Sequence, residues 1–128
     1  MRLWPHLSRK IGRQKESDAK AWLERQSLKI IEENFHCKGG EIDLIALQSE
    51  TTPAGKKHER LVFIEVKFRQ TAEFGHPAEF VNLGKQQRIH KCAQRFLMKY
   101  PDYQNHPMRF DVIAMTADEP PQWIQNAF

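Results

Sequence analysis

The chain has 128 residues, 40% of them hydrophobic and 28% charged, the balance of one soluble domain with a modest core. With 20 Lys and Arg against 16 Asp and Glu, its net charge is +4, moderately basic. No apolar run approaches a membrane span, and Met1-Arg2-Leu3-Trp4-Pro5 is too short and too soon charged for a signal peptide, so a cytoplasmic, membrane-free protein is expected.

A short arm, residues 1–9 with Pro5 in it, is expected to be flexible and to precede a helix from about Lys10 to Gln26. There Ile11, Ala19, Trp22 and Leu23 make an apolar stripe, with Glu16 within it or at its edge. Leu28 to Phe35, rich in Ile, reads as a first strand, and Gly39-Gly40 signals a turn into a second, Glu41 to Leu47. The polar stretch 48–59 reads as a long, mobile hairpin loop. Leu61 to Phe68 is apolar at nearly every position except Glu65 and Lys67, the mark of a central strand buried on both faces.

Residues 70–81 read as an irregular connection through Phe74-Gly75-His76-Pro77. A second helix, Leu83 to Tyr100, places Ile89, Cys92, Ala93, Phe96, Leu97 and Tyr100 on one face and is ended by Pro101. Arg109 to Met115 reads as a fourth strand, and Asp118-Glu119-Pro120-Pro121 turns into a terminal segment whose Trp123, Ile124 and Phe128 fold back. The order α-β-β-β-α-β predicts an α/β fold, a mixed sheet flanked by helices, in a single domain over residues 1–128. Cys37 and Cys92 are isolated, without metal-ligand spacing, so reduced thiols are expected; the six histidines form no zinc pattern.

The chemistry concentrates in Gly40-Glu41-Ile42-Asp43-Leu44-Ile45 and Phe63-Ile64-Glu65-Val66-Lys67. Side chains alternate along a strand, so Glu65 and Lys67 share one face while Ile64 and Val66 take the other; Asp43 lies one hairpin away. Two acids and a lysine converging on a sheet suit a hard cation, Mg²⁺ or Mn²⁺, with an attacking water beside it. Asp43 and Glu65 are the candidate metal ligands, with the Val66 carbonyl a third. Lys67 is the catalytic candidate that orients water or offsets phosphate charge. The competing reading pairs Glu65 with Lys67 or Lys85 and leaves Asp43 capping a turn. It serves for any one residue but weakens for the set, because a charge on a buried strand is costly unless paired or metal-bound.

Arg109 and Asp111 alternate with Phe110 and Val112, for which a structural ion pair is the better reading. Trp4, Trp22 and Trp123 fit core or edge packing better than base stacking. Residues 84–100 hold Lys85, Arg88, Lys91, Arg95 and Lys99 with no acid. Charge alone would make this a solvated face. Beside a nuclease-like site, Lys85, Arg88, Lys91 and Arg95 are candidates to track a nucleic-acid backbone without reading sequence.

Gly12-x-x-x-Glu16-x-x-Ala19, Asn34, Gly40 to Ala46, Phe63 to Lys67 with Arg69, Phe74-Gly75, Val81-x-x-x-Lys85-Gln86, Arg109 to Val112 and the closing Asn126-Ala127-Phe128 together resemble the YraN-type family of small bacterial proteins. The resemblance runs from about Gly12 to the C-terminus. It implies a restriction-endonuclease-like fold, similar also to archaeal Holliday-junction resolvases. By the nuclease pattern, metal ligands fall at Asp43 and Glu65, the catalytic lysine at Lys67, an additional acid at Glu16 and a polar helper at Gln86. Glu41 would be a metal-site neighbour or a strand-entry charge. One departure is Lys15, where the family usually has a glycine; this weakens a backbone-approach role there and spares Glu16. The function implied is metal-dependent cleavage of nucleic acid, DNA before RNA, of a branched or damaged structure. The alternative is a nucleic-acid-binding protein that keeps the fold without cleaving. Junction resolvases cut two strands symmetrically as dimers, which leaves room for a homodimer although no dimer surface is legible.

Overall fold

The computed structural model describes residues 5–69, 81–116 and 119–128, with side chains described from Gln14 onward except that of Arg69. Helix α1 (Pro5–Arg25) is followed by β1 (Leu28–Cys37), β2 (Gly40–Thr51) and β3 (Lys57–Arg69). Helix α2 (Leu83–Lys99), a 3-10 turn (Pro101–Tyr103), β4 (Met108–Thr116) and β5 (Gln122–Ile124) complete the chain. The predicted α-β-β-β-α-β order is present, extended by the short β5.

The strands form one mixed sheet in the order β1-β2-β3-β4-β5. Strands β1, β2 and β3 are antiparallel neighbours, β4 joins β3 in parallel, and β5 returns antiparallel along β4. The parallel step needs a crossover, and α2 lies within it. β3 is the central strand, as its apolar composition predicts.

Alternation along the strands divides the interior into two cores. Ala19 and Leu23 of α1 pack on Leu44, Ala46, Val62, Ile64 and Ile113, with Trp22 edge-on to Trp123 at the margin. On the opposite face Ile89, Cys92, Ala93 and Phe96 of α2 pack on Ile45, Leu47, Leu61, Phe63 and Val112. The terminal segment does fold back: Phe128 stacks near His90 and Phe110, and the Ala127 N–H donates to the Phe110 carbonyl. Among the described residues no helix is long and apolar enough to cross a membrane.

Several boundaries differ from the sequence reading. Helix α1 begins at Pro5 rather than near Lys10, so most of the expected flexible arm is helical; proline suits a first helical position because its missing N–H has no partner there anyway. Residues 1–4, the Phe74-Gly75 motif and the Ile11 side chain lie outside the description. The expected loop over 48–59 is mostly strand. β2 and β3 stay paired out to Thr51 opposite Lys57, because Glu50 binds His58 (2.9 Å) and Arg60 (2.6 Å) across the hairpin. Helix α2 matches the prediction within one residue. Its Asn82 side chain caps the first turn by accepting from the Lys85 N–H.

The cysteines overturn another expectation. Rather than separate reduced thiols, Cys37 at the end of β1 and Cys92 on the buried face of α2 are joined as a disulfide, with Cα atoms 5.6 Å apart. A sequence separation of 55 conceals a contact that the packing of α2 on the β1–β2 hairpin creates.

Candidate functional site

The β2–β3 ladder runs regularly until Leu44 opposite Ile64, and there it stops. Beyond that pair the Val66 N–H donates to Asp43 Oδ2 at 2.8 Å, so a carboxylate takes the place of a main-chain acceptor. Asp43 therefore does not cap a turn. It sits in a fork between two strands, 5% exposed, with Glu65 beside it at 4%. Fully buried acids of this kind need a cation or a proton.

Lysines answer Glu65. Lys85 Nζ, from the first turn of α2, stands 2.6 Å from Glu65 Oε1, and Lys67 Nζ is 3.6 Å from the same oxygen. The ion pair of the competing reading is thus present, made chiefly by Lys85. Glu65 Oε2 is different: it is buried and has no hydrogen-bond partner among the described residues. Such an orphaned acceptor, next to a second carboxylate, fits a hard divalent cation with oxygen ligands. Among the described residues no group of three or more His, Cys, Asp or Glu converges on one point. Among the described acidic side chains Asp43 and Glu65 would hold a metal here, completed by main-chain or water oxygens.

Crowding shows in the titration of the acids. Burial and the neighbouring Glu65 push the Asp43 carboxyl up to about 8, against the opposing Val66 hydrogen bond. Glu16 of α1 is raised as well, first by burial and then by Glu41, with polar contact to Asn34 opposing. Glu16 feels the charge of Glu65, and Asp43 feels that of Glu16, which places this acid near the pair, where the resemblance puts it. Burial, reinforced by the adjacent Lys85, lowers Lys67. Lys85 moves the other way: burial opposes its charge most, but its contacts with Glu65 and Lys67 and the charge of Asp43 together raise it.

The remaining candidates separate. Glu41 is largely exposed and pairs with His36 at 3.2 Å, a strand-entry charge within the field of the acids. Gln86 Nε2 donates to the Val81 carbonyl at 2.9 Å, so its amide nitrogen secures the entry to α2 and its oxygen alone is left for a helper's role. Lys85 leaves the expected phosphate-tracking face, because its ammonium turns inward to Glu65. Arg88, Lys91 and Arg95 are exposed and, among the described residues, carry no ion pair; their i, i+3, i+7 spacing sets them on one stripe of α2. Gly40 fastens that helix to the hairpin, since a Cβ there would stand 3.4 Å from Arg88 Cβ.

Asp111 is structural, as its alternation with Arg109 predicts. It is 0% exposed and accepts from Arg109 Nε (2.9 Å), the Trp123 indole N–H (2.9 Å) and the Asn126 N–H (2.9 Å), tying β5 and the chain end to β4. Trp22 and Trp123 pack edge-on rather than presenting free faces.

Two contributors escape sequence reasoning. One is the closeness of Lys85 to Glu65: the competing reading offered Lys67 or Lys85 as the partner, and the sequence did not say that Lys85 would be the nearer. The other is Asn34. It stands where a pair with Asp43 would fall, between Glu33–Leu44 and Phe35–Ile42, and its φ of 49° is left-handed. Asparagine tolerates that conformation better than other side chains, and an asparagine within an Ile-rich strand is the available sign.

The profile described as "Uncharacterised protein family UPF0102" matches residues 15–115. A UPF0102 protein of Alcanivorax borkumensis is 44% identical over 121 residues, covering 91% of this chain and 90% of the relative. One of Saccharophagus degradans is 46% identical over 117 residues, covering 91% of each, and one of Pseudomonas putida is 38% identical over 123 residues, covering 93% of each. The matched span contains Glu16, Asp43, Glu65, Lys67 and Lys85 together, and on this evidence the chain belongs to the UPF0102 family, the YraN-type family its motifs resemble.

Proposed function

We propose that this protein is a metal-dependent endonuclease with a restriction-endonuclease-like core, acting on nucleic acid, DNA before RNA, at branched or damaged structures. The observation that carries the reading is the buried Asp43–Glu65 pair with an unpartnered Glu65 oxygen and Lys67 beside it. A Glu65–lysine ion pair does not account for a second buried acid beside it, whose charge is unfavourable there without a cation.

Asp43 and Glu65 would hold Mg²⁺ or Mn²⁺, which when bound acidifies water and offsets charge on the phosphate. Asp43 is fixed for this by the Val66 N–H, and Glu65 by the central strand that carries it. Lys67, on the same strand face as Glu65 and 22% exposed, donates hydrogen bonds to the attacking water or the scissile phosphate. Glu16 receives hydrogen bonds from water at the rim. Arg88, Lys91 and Arg95 run along α2 away from the site and engage successive phosphates.

A non-cleaving nucleic-acid binder is the second reading, favoured by the 2.6 Å Lys85–Glu65 contact that neutralises one acid without metal. Single-turnover cleavage with Mn²⁺, over single-stranded, duplex, flap and four-way-junction DNA and RNA, decides between them. Lys67→Ala should leave metal and DNA binding nearly intact and slow cleavage on the order of a hundredfold, the scale of one preorganised charge acting in the transition state. No metal-dependent cleavage by the wild type, or none faster than Lys67→Ala, gives the binding reading the field.

A further inference from the structure

Lys85 touches Glu65 more closely than Lys67 does, 2.6 Å against 3.6 Å, yet the two lysines are anchored differently. Lys67 rises from the central strand. Lys85 reaches in from the first turn of a helix on the sheet's outer layer, and its side chain is 33% exposed against 22% for Lys67. A long side chain with that access to water can withdraw by rotation about its own bonds, without moving the sheet.

The position of its ammonium is informative. It binds one Glu65 oxygen while the other stays unpartnered and Asp43 lies alongside. Two carboxylates packed together repel, and a single positive charge at their mouth offsets part of that repulsion. A divalent ion would do the same from the inner side, and once both acids bound it, an ammonium in contact with Glu65 would face a like charge. Lysine and metal ion therefore compete for one carboxylate, from its two oxygens.

We propose that Lys85 is an internal counter-cation of the acidic site: in the metal-free protein it holds Glu65 in place and neutral as a pair, and it yields when a divalent ion binds. It is a positioning residue, distinct in role from Lys67, which stays beside the site in both states. The proposal rests on the reading of Asp43 and Glu65 as metal ligands. It adds that the affinity of the site is deliberately held down by a lysine, so that loading is conditional on metal concentration.

Calorimetric titration of the full chain with Mn²⁺ tests it, on wild type, Lys85→Met, Lys85→Arg and Lys99→Met, with folding of each checked by circular dichroism. Lys85→Met should bind Mn²⁺ tighter by about tenfold or more, the scale expected when a unit charge beside a bound cation is removed. Lys99→Met, which makes the same charge change in the last turn of α2, should stay near wild type. Lys85→Arg keeps the charge and should bind no tighter than wild type. A merely structural role for Lys85 predicts the reverse for Lys85→Met, a weaker site. Unchanged or weaker binding in a folded Lys85→Met overturns the proposal, as does equal tightening in Lys99→Met. If Lys85→Met does not fold, tighter binding by Lys85→Arg than by wild type also overturns it, and binding at or below wild type supports it. Absence of Mn²⁺ binding in wild type and Lys85→Met alike fails the metal site itself, an outcome separate from the others.

Discussion

Replacing Asp43 with asparagine should stabilise the metal-free protein at neutral pH, although it alters a buried residue of the candidate site. The native carboxyl titrates at about 8, against 3.8 for a free aspartate, because burial and Glu65 disfavour its charge. A folded-state value above the unfolded one means that the unfolded chain gives up its proton first. The contribution of Asp43 to stability is then complete below the unfolded value and is lost progressively as pH rises towards the folded one. Asparagine has no proton to lose, while its Oδ1 still accepts the Val66 N–H. From about pH 5 to about pH 7.5, at about 1.4 kcal/mol per pH unit, the mutant should gain on the order of 3 kcal/mol relative to wild type. Urea denaturation in EDTA at both pH values measures this. Added Mn²⁺ should close most of that gap, since a ligand at a hundred times its Kd adds about 2.7 kcal/mol to wild type and little to a mutant lacking one ligand charge. A stability difference that does not change with pH would refute the reasoning, as would a mutant less stable than wild type at the upper pH.

Asp111→Ala should cost about 3–5 kcal/mol in urea denaturation, because Arg109 loses its buried partner and two further donors are orphaned, while Mn²⁺ affinity stays unchanged. Arg88→Ala combined with Arg95→Ala should weaken DNA binding and reduce the slope of log affinity against log salt by about one per residue. An unchanged slope would make that stripe plain solvated surface. Reduction of the Cys37–Cys92 bond, which closes a separation of 55 residues, should lower stability by on the order of 4 kcal/mol, read as a shift in the urea midpoint with and without reductant.

Features governed by local periodicity were legible in the sequence. The apolar run around Glu65 and Lys67 announced a central strand, and the spacing of Ile89, Cys92, Ala93 and Phe96 announced the buried face of α2. The β2–β3 hairpin was underestimated because its outer pairs are polar: Glu50, His58 and Arg60 hold strands together while composing a stretch that reads as loop. The nature of the site was partly legible. Asp43, Glu65 and Lys67 could be drawn together from a hairpin, since their spacing along the chain is short. Lys85 and the Cys37–Cys92 bond depend on how a helix distant in sequence lies across the sheet, and no local pattern encodes that.

Asp43 carries two duties at once, since its side chain completes the fold where the strands part. Among the described residues Lys67 makes no comparable bond to the backbone, and its ion pair is the longer of the two on Glu65. Evolutionary erosion of the site would accordingly be uneven. If the proposed nuclease function holds, a descendant that abandoned catalysis could discard Lys67 freely, whereas position 43 would keep an acceptor, aspartate or asparagine, to hold Val66. Among divergent relatives, an acid or amide at 43 paired with a missing lysine at 67 would mark chains that have retired from chemistry while keeping their shape.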